Sequence, residues 1–209
     1  MTGCVAKVNL ALSELPTFTA LAGVEDAALR HSGRIVLAES VMGLERAFDD
    51  CRAGRIPSTP PLEATVPTLV DRSLINATIA PEGGHVMSVI VQYVPFDLAD
   101  ADWEACRDAL GDLVLRRLEE VAPGISGLVV AGEVIAPPDL ENDYGLTDGH
   151  PLHGEPSLDQ WFAWRPLLEL GRYRTPIAGL YLAGSGSHPG GGVTRAPGAN
   201  AARAIEADL

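Results

Sequence analysis

The chain has 209 residues, 46% hydrophobic and 21% charged, enough to bury a core in one domain or one domain with a small appendage. Its 15 basic and 28 acidic residues leave a formal charge of -13, which repels phosphate backbones and anionic membrane surfaces and argues against nucleic acid as a partner. No apolar run is long enough to span a bilayer; the best, residues 86–94, is interrupted by Ser88 and Gln92. Residues 1–15 alternate and hold only Lys7, unlike a secretory leader, so the expected location is the cytoplasm. Cys4, Cys51 and Cys106 are scattered with no C-x-x-C pair and read as buried structural thiols, not as a zinc site or a disulfide framework.

Residues 4–12 alternate, with Cys4, Ala6, Val8, Leu10 and Leu12 set against Val5, Lys7, Asn9 and Ala11, and predict a half-buried strand. A second strand is expected over 34–39. Ser40 then suits the cap of a helix in which Leu44, Ala47, Phe48 and Cys51 share a face and which stops near Gly54 and Pro57. Residues 63–67 and 86–93 read as strands separated by a turn marked by Pro81, Gly83 and Gly84. Asp100 or Asp102 is placed to cap an amphipathic helix over 103–121. Cys106, Leu110, Leu113, Val114, Arg117 and Leu118 form its stripe, and Pro123-Gly124 ends it. A strand over 127–136 follows, Pro137-Pro138 stops it, and Asp139 suits the cap of a short helix. Residues 142–156 form a polar loop, 179–184 a short apolar strand, and a Gly-rich loop then leads to a helix over 197–207. This order predicts an α+β fold, a mostly antiparallel sheet backed by helices on one face.

The chemistry concentrates in residues 179–205, GLYLAGSGSHPGGGVTRAPGANAARAI. Glycines repeated from Gly184 to Gly198 let backbone come very close to something. Pro197 suits a first helical turn, and Gly198, Ala199, Ala201 and Ala202 give the helix a nearly bare face. Its start offers N–H groups and partial positive charge to an electron-rich oxygen or a ring that becomes anionic. A tight structural turn is the alternative reading. The segment has neither the Walker Lys-Ser/Thr pair nor the dinucleotide spacing, so it is not the phosphate-cradling end of a Rossmann unit.

The run LYLAGSGSHPGGGV followed by APGANAA resembles the C-terminal flavin segment of the phytoene-desaturase-like FAD oxidoreductases. Lys7-Val8-Asn9 with Leu15-Pro16, the stretch 91–95, Ala122-Pro123-Gly124, the stretch 137–141 and Ser157-Leu158-Asp159-Gln160 agree with it. The resemblance implies a substrate-domain-like region over 1–175 and, over 176–209, the C-terminal strand, loop and helix of a FAD-binding domain. It implies FAD as cofactor, with Gly184, Ser185, His188, Pro189, Gly190, Gly191, Gly192, Val193, Pro197 and Gly198 as the cofactor-binding residues. Trp161, Trp164 and Arg165 are then the substrate-side candidates; the other reading is ordinary core packing of the tryptophans, with Arg165 satisfying buried carbonyls. The implied activity is dehydrogenation or oxidation of a small or apolar organic molecule. Two features depart from the pattern: Gly184-Ser185 stands where relatives often carry an acid, and Arg195 stands where many have a small residue.

No G-x-G-x-x-G occurs in the chain, so the N-terminal Rossmann half is absent and FAD is expected to bind weakly or not at all without a complementary half in trans. Without that half, apolar surface around 179–183 favours a homodimer. The alternatives are a flavin-free binding or interaction module and a non-redox enzyme, such as a cyclase, using the same cavity. His188 and Arg195 are the catalytic candidates: His188 reaches a ligand or is a loop spacer. Arg195 either stabilises a reduced flavin or fills a vacated cleft by pairing with an acid. His150 and His153 with Asp148 and Glu155 lack a ligand-bearing scaffold and read as solvated, and no metal site is expected.

Overall fold

The computed structural model describes residues 4–75 and 83–209, so Pro81 of the expected turn lies outside the described residues. The described chain divides into two compact units, Cys4–Asp139 and Leu140–Leu209. In chain order the first holds β1 (Val5–Leu12), α1 (Ala27–His31), β2 (Ile35–Leu37), α2 (Val41–Arg52), β3 (Leu62–Thr65), β4 (His85–Gln92), α3 (Trp103–Val121) and β5 (Val129–Ile135).

The alternation read in β1 buries Ala6, Val8, Leu10 and Leu12, because successive side chains of a strand point to opposite faces. The sheet runs β2-β3-β4-β1-β5 with every pairing antiparallel, the α+β arrangement expected. Val8 faces Val89 and Leu10 faces Met87 across the β1–β4 pair, so the register puts the apolar sets of neighbouring strands on one face. Leu110, Val114 and Leu118 of α3 join the same cluster. Each such residue stabilises the fold by about 1.5–3 kcal/mol relative to exposure. The other face carries Lys7, Asn9, Glu63, Ser88 and Gln92, with Asn9 Nδ2 donating to Glu133 at 3.2 Å and Gln92 Nε2 to Glu63 at 2.6 Å.

Helix ends follow local chemistry. Ser40 Oγ accepts from Gly43 N–H at 3.1 Å, and of the two candidate caps for α3 it is Asp102 that accepts, from Ala105 N–H at 2.8 Å. Three expectations are corrected. Of the α2 stripe only Ala47 is buried; Phe48 stays 43% exposed, its ring edge-on to Tyr93 and beneath the Arg52 guanidinium. β5 starts at Val129, not residue 127, because Ile125–Leu128 is spent on a 3-10 turn. Asp139 does not precede its helix. That helix, α4 (Pro137–Tyr144), begins on the prolines, and Asp139 reaches back from its first turn to accept from Ala136 N–H at 2.7 Å while pairing with Arg107.

The second unit is mostly irregular. α4 takes up the first residues of the expected polar loop, and 3-10 turns follow at Thr147–Gly149, Leu158–Gln160, Phe162–Trp164 and Leu168–Leu170 before α5 (Ala196–Glu206). The strand expected over 179–184 is not formed. Tyr181 makes an isolated bridge to Arg174, with Leu182 N–H on Tyr173 carbonyl at 2.7 Å and Thr175 N–H on Leu180 carbonyl at 3.2 Å. A strand needs a continuous backbone partner, and here it meets only the short return at 173–175. Arg174 donates to Asp208 at 2.7 and 2.8 Å and to Ala204 carbonyl at 3.0 Å, and Tyr181 hydroxyl donates to Asp208 at 2.8 Å, fastening the last turn of α5.

Candidate functional site

The glycine-rich segment and the start of α5 line one cleft of about 610 Å³, together with Pro151, Leu152, Thr194, Arg195 and Ala199. Its size is that of a small-molecule site. Gly184, Gly190 and Gly192 adopt φ of 89°, 96° and 116°, values that carry little cost only for glycine. Two successive turns fold the loop, Ser187 N–H on Gly184 carbonyl at 3.0 Å and Gly190 N–H on Ser187 carbonyl at 2.7 Å. Gly191 is constrained by space: a Cβ there would lie 2.7 Å from Leu152 Cδ2.

At the helix start, Ala196 N–H donates to Thr194 Oγ1 at 3.3 Å, Pro197 has no N–H, and Ala199 N–H bonds Arg195 carbonyl at 3.0 Å. Gly198 N–H is left without an acceptor among the described residues, and open space surrounds the place where its Cβ would stand. Arg195, at φ 60°, caps the helix by backbone alone; its exposed side chain makes no ion pair among the described residues. The acid pairing considered for Arg195 is therefore not made among the described residues. No other residue lining the cleft is charged, so the cleft offers shape, N–H donors and positive charge, not an acid–base pair.

The structure thus brings together Gly184, Ser185, Gly190, Gly191, Gly192, Val193, Pro197 and Gly198 with Arg195. His188 and Pro189 do not line this cleft. His188 borders a separate groove, with Tyr173, Asn200 and Arg203. Its carbonyl accepts from Tyr173 hydroxyl at 3.0 Å, and its Nδ1 is buried with no hydrogen-bond partner among the described residues. Trp161 and Trp164 line a separate apolar hollow of about 570 Å³ with Leu158 and Phe162. Trp161 and Trp164 are 51% and 55% exposed, so core packing does not describe them. Arg165 is buried, and its Nε and Nη2 are committed to carbonyls of Ser185, Leu152 and Gly154, which leaves it holding loops instead of facing that hollow. Pro151 and Leu152 escaped the sequence reading, since a loop far away in sequence leaves no local signal of its contact with Gly191.

His150 is buried and its Nδ1 accepts from Leu152 N–H at 3.2 Å; burial holds its pKa below the usual imidazole value, Glu155 opposing and Arg165 adding to the shift. Among the described residues no group of three or more metal-ligating side chains is assembled, and no helix is long and apolar enough to cross a membrane.

No protein-family model matches the chain. It is 39% identical over 98% of its length to pyridine nucleotide-disulfide oxidoreductase domain-containing protein 2 of Mus musculus, and 38% identical to the Rattus norvegicus protein of that name. It is 29% identical over 76% of its length to the 4,4'-diapophytoene desaturase (4,4'-diaponeurosporene-forming) of Staphylococcus aureus, covering 30% of that protein. The chain spans about a third of the length of the curated relatives it matches, 35% for the two mammalian proteins. By sequence, then, the chain is similar over nearly its whole length to one segment of pyridine nucleotide-disulfide oxidoreductase domain-containing protein 2 and, more distantly, to one segment of a diapophytoene desaturase, a relationship to oxidoreductases.

Proposed function

We propose that the chain supplies the part of a FAD-dependent oxidoreductase that meets the flavin ring, acting in dehydrogenation or oxidation of a small or apolar organic substrate. The observation that carries this reading is the cleft in which Gly184, Gly190, Gly191, Gly192 and Gly198 present backbone instead of side chains, with an unspent N–H at Gly198 and the Arg195 cation beside it. A planar ring needs such a wall, and the donor set suits a ring that gains negative charge on reduction. When bound, the flavin supplies the hydride acceptor. The chain's own part is to hold the ring face with Ser185, Val193, Pro197 and the glycines, and to place positive charge at the start of α5. Trp161 and Trp164 offer apolar surface to the substrate, while His188, facing the other groove, takes no step. The ADP end of FAD is bound by residues outside this chain, because the sequence contains no G-x-G-x-x-G.

Flavin titration tests the reading. Since only the ring is contacted, FAD and riboflavin are expected to bind the isolated chain with similar, weak affinity. Adding the nucleotide-binding segment of the mouse relative is expected to give a yellow complex that keeps FAD through gel filtration. A complex that forms but retains no flavin refutes the proposal. The isolated chain is further expected to self-associate through exposed apolar residues such as Ile177 and Leu180, 65% and 46% exposed. A monomer mass in light scattering at micromolar concentration overturns that expectation.

A further inference from the structure

Arg165 is 4% exposed, yet in a chain with 28 acidic residues no carboxylate among the described residues pairs with it. Its acceptors are carbonyls only: Nε donates to Ser185 at 2.8 Å, and Nη2 donates to Leu152 and, at 3.4 Å, to Gly154. A buried cation without a counter-ion is costly, and sequences rarely keep one where a neutral residue would pack as well. Here the planar fork reaches two segments at once, which neither an ammonium nor an amide can match. The loop also wraps the side chain, since a Cβ on Gly190 would lie 3.8 Å from Arg165 Cδ and Nε. Leu152, held by its carbonyl on Nη2, sends its side chain against Gly191.

The two segments Arg165 binds both line the same cleft, residues 151–152 and residues 184–192, and they meet where Leu152 packs against Gly191. We infer that Arg165 is the positioning residue of this cleft: its carbonyl-bound guanidinium holds the two segments together and leaves an unneutralised positive charge beside the glycine-rich one. The charge adds to that of the α5 start, so the cleft selects a planar, electron-rich or anionic ring over a cation. Only the ligand class rests on the flavin reading above; the clamp on the two segments stands on the geometry.

The test compares Arg165→Gln with Arg165→Lys in the 209-residue chain. Hydrogen exchange is expected to quicken about tenfold or more in 152–154 and in 184–191 together, in both variants, because neither keeps the fork. Amides of β1 and β4 are expected to stay as protected as before. His150 reads the charge separately: by NMR its imidazole pKa is expected to rise in Arg165→Gln and less in Arg165→Lys, an order that lost packing alone does not produce. Faster exchange in only one segment, no change in either, or a His150 titration identical in the two variants overturns the inference. In the FAD complex, Arg165→Gln is expected to lower the flavin midpoint potential and Arg165→Lys to preserve most of it. A complex that binds no FAD with Arg165 intact overturns the ligand class, and the exchange data tell that failure apart from a failure of the clamp.

Discussion

Gly198 is a position where stability and ligand binding are expected to move in opposite directions. It lies in the first turn of α5 with helical backbone, is exposed, and has no atom within 4 Å of where a Cβ would stand. Glycine inside a helix costs roughly 0.5–1 kcal/mol relative to alanine, mostly through the entropy of the unfolded chain. Gly198→Ala meets no clash, so it is expected to stabilise the chain by about 0.5 kcal/mol, near the lower bound because the site is in the first turn. In a chain of this size that raises the melting midpoint by roughly 1–2 °C. Gly198 lines the cleft and its Cβ position is open, so on the proposed placement of the ring the new methyl is expected to meet it. A ring packed on the bare backbone at roughly 3.5–4.0 Å has no room for it and must withdraw, forfeiting contacts along the glycine wall. FAD affinity of the complex with the nucleotide-binding segment is therefore expected to fall about tenfold or more. Thermal melting by circular dichroism reads the first effect and flavin fluorescence the second. A variant that gains stability and binds FAD within twofold of the parent refutes the placement of the ring against Gly198.

Gly54 and Gly124 both have positive φ, 70° and 91°, but a Cβ on Gly54 would lie 2.9 Å from Ala99 N while one on Gly124 meets nothing. Gly124→Ala is expected to cost about 1 kcal/mol and Gly54→Ala about 3 kcal/mol in urea unfolding, and equal costs would show that the close approach to Ala99 is not made. Asp139 has its pKa lowered by the hydrogen bond from Arg107, against the opposing effect of partial burial. A depressed carboxylate stabilises above its unfolded pKa, near 3.9, and that contribution is lost as pH falls through the folded value. Asp139→Asn is therefore expected to cost about 1–2 kcal/mol at neutral pH and progressively less as pH falls below the unfolded carboxylate value, and a cost independent of pH argues against the charge pair with Arg107. Cys51 is pushed up to about 11 by burial first and Cys4 second, so it is expected to resist alkylation at neutral pH until the chain unfolds; rapid labelling in the folded state contradicts its burial.

The sequence shows most where a pattern repeats locally. The period-2 burial of β1 and the bounds of α3, with Asp102 at its head and Pro123-Gly124 beyond its end, follow from side-chain alternation and capping chemistry that neighbouring residues carry. The glycine run likewise signals backbone folded through tight turns, and its glycines line a cleft. It gave no sign of which surfaces meet there. The segment around Leu180 is as apolar as a strand, but strand formation depends on a partner elsewhere, and only 173–175 returns to it. Arg165 carries two readings from sequence, a substrate-side residue or a guanidinium satisfying buried carbonyls, and the structure bears out the second. Its acceptors at 152, 154 and 185 belong to loops with no periodicity to read. Phe48 lies on the correct side of α2 by spacing, yet the cover over that helix is too thin to bury a ring of its size.

The two ends of α5 are held very differently. Its last turn is fastened by Arg174 and Tyr181 through Asp208 and the Ala204 carbonyl, whereas its first is met by one threonine hydroxyl and a backbone cap in the left-handed region. The charged anchors therefore gather at the end away from the cleft, while the end that forms it is seated by the buried Pro197 and, one turn on, by Asn200 on Tyr173 hydroxyl at 2.8 Å. Most of the polar hardware that fixes α5 is thus kept clear of the wall that faces the cleft, which leaves that wall to backbone and small side chains.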